Sequence, residues 1–230
     1  DFVMFLCSGP ERPNDFKTHL ENKCDLKVLN IDMVLNGRHH DMRMDDVKLK
    51  LIEAATLHRC IGVMVSIPCS TWSCARSNED GGPPVLRDLD HPMGVPDSNG
   101  SLPKQVEDAN SIIETAVDVA WAVVSHGGSF IFETPVSRAR GSPHSIPGRE
   151  DHAAMSTYPR LVKLMRAYRS LSVCFDQCMT AAKSMKSTEL LASPSIFDDV
   201  VENFGKLRCN HVGCRKFSLI GPGGPGTGAG

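Results

Sequence analysis

The chain has 230 residues, 41% of them apolar and 23% charged, with a formal net charge of -2. That is enough length for one domain with a sizeable core, and the composition is that of a soluble globular protein. It excludes a global basic field, so a nucleic-acid partner would have to be met by a local patch. No apolar run approaches the roughly 18 residues a membrane-spanning helix needs, and no membrane contact is expected. The nine cysteines are odd in number and follow no signal peptide. They argue for a reducing intracellular compartment (nuclear, if the source is eukaryotic) over a disulfide framework.

In chain order, Val3 to Leu6 reads as a buried strand and Asp15 to Asn22 as a short helix. Lys27 to Ile31 reads as a second strand, ending at Asp32. Residues Val47, Leu49, Leu51, Ile52 and Ala55 give Asp45 to Leu57 an amphipathic helical pattern. The Val- and Ile-rich run Cys60 to Ile67 is a third strand. A polar loop over 74–103 is too long for a simple connector, which suggests a functional segment. Gln105 to Ser125 is the clearest helix, stopped by Gly127-Gly128, and Ser129 to Phe132 is a fourth strand ending at Glu133. A second loop, 135–150, gathers Arg138, Arg140, His144 and Arg149, with His152 just beyond. Tyr158 to Ser170 reads as a helix, Leu171 to Phe175 as a fifth strand and Ser187 to Ala192 as a sixth. Residues 1–220 are expected to form a single domain and the Gly/Pro-rich 221–230 a flexible tail. An opening on an apolar run without an initiator Met suggests a piece of a longer polypeptide.

Alternating strands and helices predict an α/β fold: a Rossmann-like, mostly parallel sheet with helices on both faces. In such sheets ligands bind at the carboxyl ends of the strands. That edge would carry Ser8-Gly9, Asp32, Pro68-Cys69, Glu133 and Gln177-Cys178.

Among these, Cys69 follows a buried strand and a proline and enters a polar turn, which exposes a thiol at a fixed position. Glu133 leaves an aromatic-rich strand, a setting that suits a proton donor. Asp32 stands where nucleotide-binding sheets place an acceptor for ribose hydroxyls. The loop Cys7-Ser8-Gly9-Pro10 has a single glycine and is a weak phosphate cradle. It better fits a cofactor whose adenosine and amino-acid parts pack against backbone.

Pro68-Cys69-Ser70-Thr71-Trp72-Ser73 resembles the Pro-Cys motif of the DNA (cytosine-5) methyltransferases, in its phage-type and viral or retroelement form. Phe132-Glu133-Thr134-Pro135 is similar to their Glu-Asn-Pro or Glu-Asn-Val motif. Asp176-Gln177-Cys178, with Lys186-Ser187-Thr188 after it, resembles a Gln-Cys…Lys-Pro-Thr segment of the short members. His40-Asp41-Met42, and Pro83 to Arg87 with His91 to Gly94, match further elements in order. The resemblance runs from about residue 3 to about residue 192. The first loop departs from it, since only Gly9 remains of a Phe-x-Gly-x-Gly pattern.

The resemblance implies a methyltransferase sheet that binds S-adenosylmethionine. Cys69 would add to carbon 6 of cytosine so that carbon 5 accepts the methyl group. Glu133 would hold and protonate ring nitrogen 3. Cofactor contacts would come from Phe5, Ser8, Gly9, Asp32, Met33, Asp41 and Pro68, with Asp45 an alternative to Asp41. Ser73, Arg76, Arg87, Lys186 and Thr188 would face the substrate, the arginines meeting phosphates. The partner implied is DNA, with a flipped base; RNA stays open, and a monomer is expected.

Three further expectations stand beside this. Cys209, His211 and Cys214 form a candidate zinc group. The basic loops suit a nucleic-acid-binding module that keeps the fold without the chemistry, inside a viral or retroelement polyprotein. Cys69 with Cys74 suits a thiol-dependent enzyme.

Overall fold

The computed structural model describes residues 1–13, 15–74, 84–180 and 186–209. Its strands are β1 (Phe2–Leu6), β2 (Lys27–Ile31), β3 (Cys60–Val65), β4 (Ser129–Pro135), β5 (Leu171–Asp176) and β6 (Ser187–Ala192). The helices are α1 (Phe16–Cys24), α2 (Met33–Asn36), α3 (Asp45–Ala55), α4 (Lys104–Ser125), α5 (Pro159–Ala167) and α6 (Pro194–Phe204). The strands form one six-stranded sheet in the order β2-β1-β3-β4-β6-β5. β2, β1, β3 and β4 run parallel; β6 runs antiparallel to both neighbours. The α/β class and the mostly parallel sheet agree with the sequence reading.

Side-chain alternation sorts the two faces. Met4, Leu6, Val63, Val65, Phe130 and Phe132 point to one side and pack on α3, α4 and α5. The apolar stripe of α4, including Ile113, Ala116, Ala120 and Val123, lies in the middle of this core. On the other side Val173, Phe175, Leu190 and Ala192 meet Ile196, Phe197 and Val200 of α6. There α1 covers β1 through Phe16, edge-on to Phe5 at 5.1 Å. The chain turns from α4 into β4 at Gly128, where a Cβ would stand 2.6 Å from Val123 Cγ1 and 3.1 Å from two carbonyl oxygens of β3. Only glycine lets helix and strand approach this closely.

Two helices were not anticipated. Asp32 caps α2, its Oδ1 accepting from the Val34 N–H at 2.8 Å. In α6 a proline at the first turn follows Ser193, and the apolar spacing of Ile196, Phe197, Val200 and Phe204 turns one face to the sheet. No described helix is long and apolar enough to cross a membrane.

Candidate active site

β1 bonds β2 on one side and β3 on the other, so the direction of strand progression reverses at β1. A crevice opens at the carboxyl ends of strands flanking such a reversal, and this is where ligands bind in open α/β sheets. A cleft of about 720 Å³ lies there. One wall is the segment after β1: Cys7, Ser8, Gly9, Pro10, Arg12, Pro13 and Asp15. The other is the turn after β3, Ser66 to Cys69, with Glu133, Thr134, Pro135, Thr180 and Lys186. Phe5 also contributes.

The first wall is shaped by Gly9, whose φ of +70° suits glycine. Its N–H donates to Asp32 Oδ2 at 2.9 Å, tying the loop to the end of β2. Cys7 lies beneath; burial, reinforced by the charge of Asp32, pushes its thiol up to about 12. The Cys7 thiol therefore stays protonated at neutral pH.

The second wall carries Cys69, partly exposed, at the head of a 3-10 turn over Ser70–Trp72. A buried layer fixes that turn from behind. Trp72 is 1% exposed, with the Arg87 guanidinium 3.9 Å from its ring centroid and Tyr158 edge-on. Arg87 donates from Nε to Thr71 Oγ1 at 3.2 Å, from Nη1 to the Pro92 carbonyl at 2.9 Å and from Nη2 to Asn110 Oδ1 at 2.9 Å. Burial pulls Arg87 down to about 10, so it remains a cation at neutral pH. His152 bonds the Trp72 carbonyl through Nε2 at 2.9 Å, while its Nδ1 accepts from the Arg138 N–H at 3.2 Å. The second contact makes Nδ1 the bare nitrogen and Nε2 the donor.

Glu133 faces the cleft from the end of β4, held by three donors. Ser66 donates to Oε2 at 2.9 Å, and the Gln177 side-chain amide donates to Oε1 at 2.9 Å. Lys186 stands 3.5 Å from the same Oε1. These groups come from the ends of β3 and β5 and the start of β6. The reversed direction of β6 is what brings Lys186 to this edge.

No protein-family model matches the chain, and no curated protein matches it either.

Of the residues singled out from sequence, Phe5, Ser8, Gly9, Pro68, Cys69, Glu133 and Lys186 line one cleft. Others stand apart from it. Arg87, expected to meet phosphate, is 3% exposed with its guanidinium turned inward, where it braces the Cys69 turn. Thr188, expected to face the substrate, is fully buried within β6 and donates to the Lys186 carbonyl. Asp41 is buried in a two-toothed pair with Arg43, at 2.8 Å to each oxygen, and Arg43 reaches on to Asp108 of α4. The Arg43 contacts hold the Asp41 carboxyl below its usual range. Met33 is exposed on α2, and Ser73 follows the 3-10 turn; neither lines the cleft. Cys74 is buried with Arg149 Nη1 3.3 Å from its sulfur, outside the cleft that holds Cys69. Arg76, His211 and Cys214 lie outside the described residues; Cys209 is described, its N–H bonded to Asp176 Oδ2 at 2.8 Å.

Sequence reasoning placed Gln177 on the carboxyl edge and His152 beside the basic loop, and singled out neither Ser66 nor Arg12. Gln177 stood in a quoted motif and Ser66 two residues before Pro68, but the contact of each with Glu133 depends on strand order.

Proposed function

We propose that the chain is an S-adenosylmethionine-dependent methyltransferase acting on carbon 5 of cytosine in DNA, through a covalent bond to Cys69. The observation that carries this reading is the convergence of Cys69 and a thrice-bonded Glu133 on one cleft, opposite the Ser8-Gly9 wall. The volume suits a nucleoside-sized molecule. The cofactor would lie along Phe5, Ser8 and Gly9 and supplies an electrophilic methyl group when bound.

The remaining chemistry belongs to the chain's own residues. The Cys69 sulfur adds to carbon 6 of the ring, and the electron pair of the 5,6 double bond becomes available at carbon 5. Glu133 holds the ring at nitrogen 3 and handles the proton there. Ser66, Gln177 and Lys186 keep the carboxyl at one place and orientation, which a directed proton transfer requires. After methyl transfer, solvent takes the carbon 5 proton, its electron pair restores the 5,6 double bond, and the bond from carbon 6 to sulfur breaks to release the Cys69 thiolate. The buried brace of Trp72, Arg87 and His152 keeps the nucleophile's backbone still through these steps.

The test is covalent trapping. On an oligonucleotide containing 5-fluorocytosine, the carbon 5 proton is replaced by fluorine and the sulfur cannot leave. Wild-type protein with S-adenosylmethionine should give a denaturation-resistant protein–DNA adduct, and Cys69→Ala should give none. Wild-type protein that binds the cofactor and DNA but forms no adduct would overturn the reading.

One observation favours a second reading, a binding module without chemistry. The Gly9 amide and the Asp32 carboxylate, both assigned to the cofactor, bond each other. A loop closed on itself in this way leaves Arg140, exposed on the basic loop, for contact with a nucleic-acid backbone. Salt-sensitive DNA binding that is unchanged by Cys69→Ala, with no adduct, is the outcome that reading predicts.

A further inference from the structure

Among the described residues, the charged groups lining the cleft are Arg12, Asp15, Glu133 and Lys186. Three are already engaged. Asp15 caps α1, with Oδ1 accepting from the Thr18 N–H at 2.8 Å and Oδ2 from the Arg12 N–H at 3.2 Å. Glu133 and Lys186 face each other. Just outside the cleft, Lys17 pairs with Glu11 at 2.8 Å. The Arg12 guanidinium is exposed and has no hydrogen-bond or ion-pair partner among the described residues. Its Nη2 lies 3.9 Å from where a Cβ on Gly9 would stand, so it sits beside the glycine at the mouth of the cleft.

We infer that Arg12 anchors a carboxylate of the cleft's ligand, giving the site selectivity for a nucleoside that carries an amino-acid end. This deepens the methyl-donor reading and rests on it for the ligand's identity. A guanidinium presents a planar fork of donors that matches a carboxylate two-to-two.

A phosphate group fits the same wall less well. Phosphate cradles need several backbone N–H groups converging on the anion. Here the Cys7 amide bonds the Ile31 carbonyl, the Gly9 amide bonds Asp32 and the Arg12 amide bonds Asp15, which leaves only the Ser8 and Glu11 amides of this segment to meet an anion. Pro10 and Pro13 have no N–H to offer. Asp15 on the same wall adds negative charge that a multiply charged phosphate would meet. Arg12 thus takes over, with one side chain, the anchoring that a glycine-rich loop performs with its backbone.

Titration calorimetry tests this on the full chain, wild type and Arg12→Gln, with two probes. S-adenosylmethionine carries the amino-acid end; 5′-methylthioadenosine keeps the nucleoside and sulfur without it. Arg12→Gln should weaken S-adenosylmethionine on the order of tenfold to a hundredfold and leave methylthioadenosine unchanged. Arg12→Lys should recover part of the loss, since it keeps the charge without the fork. Equal weakening of both probes, or of neither, overturns the inference and leaves the methyl-donor reading standing. Tighter, Arg12-dependent binding of AMP than of S-adenosylmethionine would overturn it in favour of phosphate. If the wild type binds neither probe, the methyl-donor reading fails and this inference fails with it.

Discussion

Arg87 is the side chain on which the Cys69 turn depends most, and its removal gives the sharpest test of the packing argument. Truncation to alanine leaves Thr71 Oγ1, the Pro92 carbonyl and Asn110 Oδ1 without their donor. A buried acceptor left unsatisfied costs about 1–3 kcal/mol. The stacking on Trp72 contributes about 1 kcal/mol more. These terms do not add in full, because the three acceptors share one donor group and water can enter the vacated space. Truncation also relieves the cost of burying a cation, the same cost that pulls Arg87 down to about 10. The net expectation is about 3–5 kcal/mol, a large share of the roughly 5–15 kcal/mol of a typical domain. For a chain of this size that corresponds to a fall of about 6 to 20 °C in melting temperature. Urea denaturation followed by tryptophan fluorescence measures it. Arg87→Lys should recover little, because an ammonium cannot reach three acceptors set around a planar fork. An Arg87→Ala protein within about 1 kcal/mol of wild type would refute the bracing role.

Two other outcomes follow from the same geometry. Burial, with Arg138 and Arg149 nearby, holds His152 below its ordinary pKa, and its neutral form bridges the Trp72 carbonyl and the Arg138 amide. The unfolded chain therefore takes up a proton first, so this stability is complete above about pH 6.5 and is lost as pH falls toward the folded value. His144, depressed mainly by burial and then by Arg138 and Arg208, acts in the same direction. Denaturation midpoints from pH 7.5 down to 5 should fall, and His152→Gln should flatten part of that slope; an unchanged slope would count against the assignment. Asp32→Ala removes both the α2 cap and the Gly9 tether, and should cost about 1 kcal/mol by thermal or chemical denaturation. No loss would mean that neither bond matters.

How much of this was legible in the sequence depends on how each residue meets its partners. Cys69 and Glu133 were legible because both follow buried strands, and parallel neighbours end on a shared edge. The strands were legible for the same reason, as apolar runs bounded by polar turns, although β3 stops at Val65 short of the expected Ile67 and β4 runs past Phe132 to Pro135. Asp41 was not legible, since nothing in its neighbourhood says that Arg43, two residues on, will close a fork around it. Arg87 read as a loop cation because its loop is polar; that the loop folds back to bury Trp72 is a tertiary event. The reversed β6 had a signal that went unused. A parallel return needs a crossover of about a dozen residues or more, and the link 177–186 is shorter.

The position of β6 has a consequence for the newly made chain. β6 follows β5 in sequence and is the last strand among the described residues, yet it lies between β4 and β5. Until residue 192 has left the ribosome, β4 waits with one side unpaired, presenting the backbone of Ser129–Pro135 beside two phenylalanines. Such an edge templates pairing with other chains. Truncation between β5 and β6 should therefore yield a sticky intermediate rather than a smaller stable domain, because the strand that closes the sheet arrives after both of its neighbours.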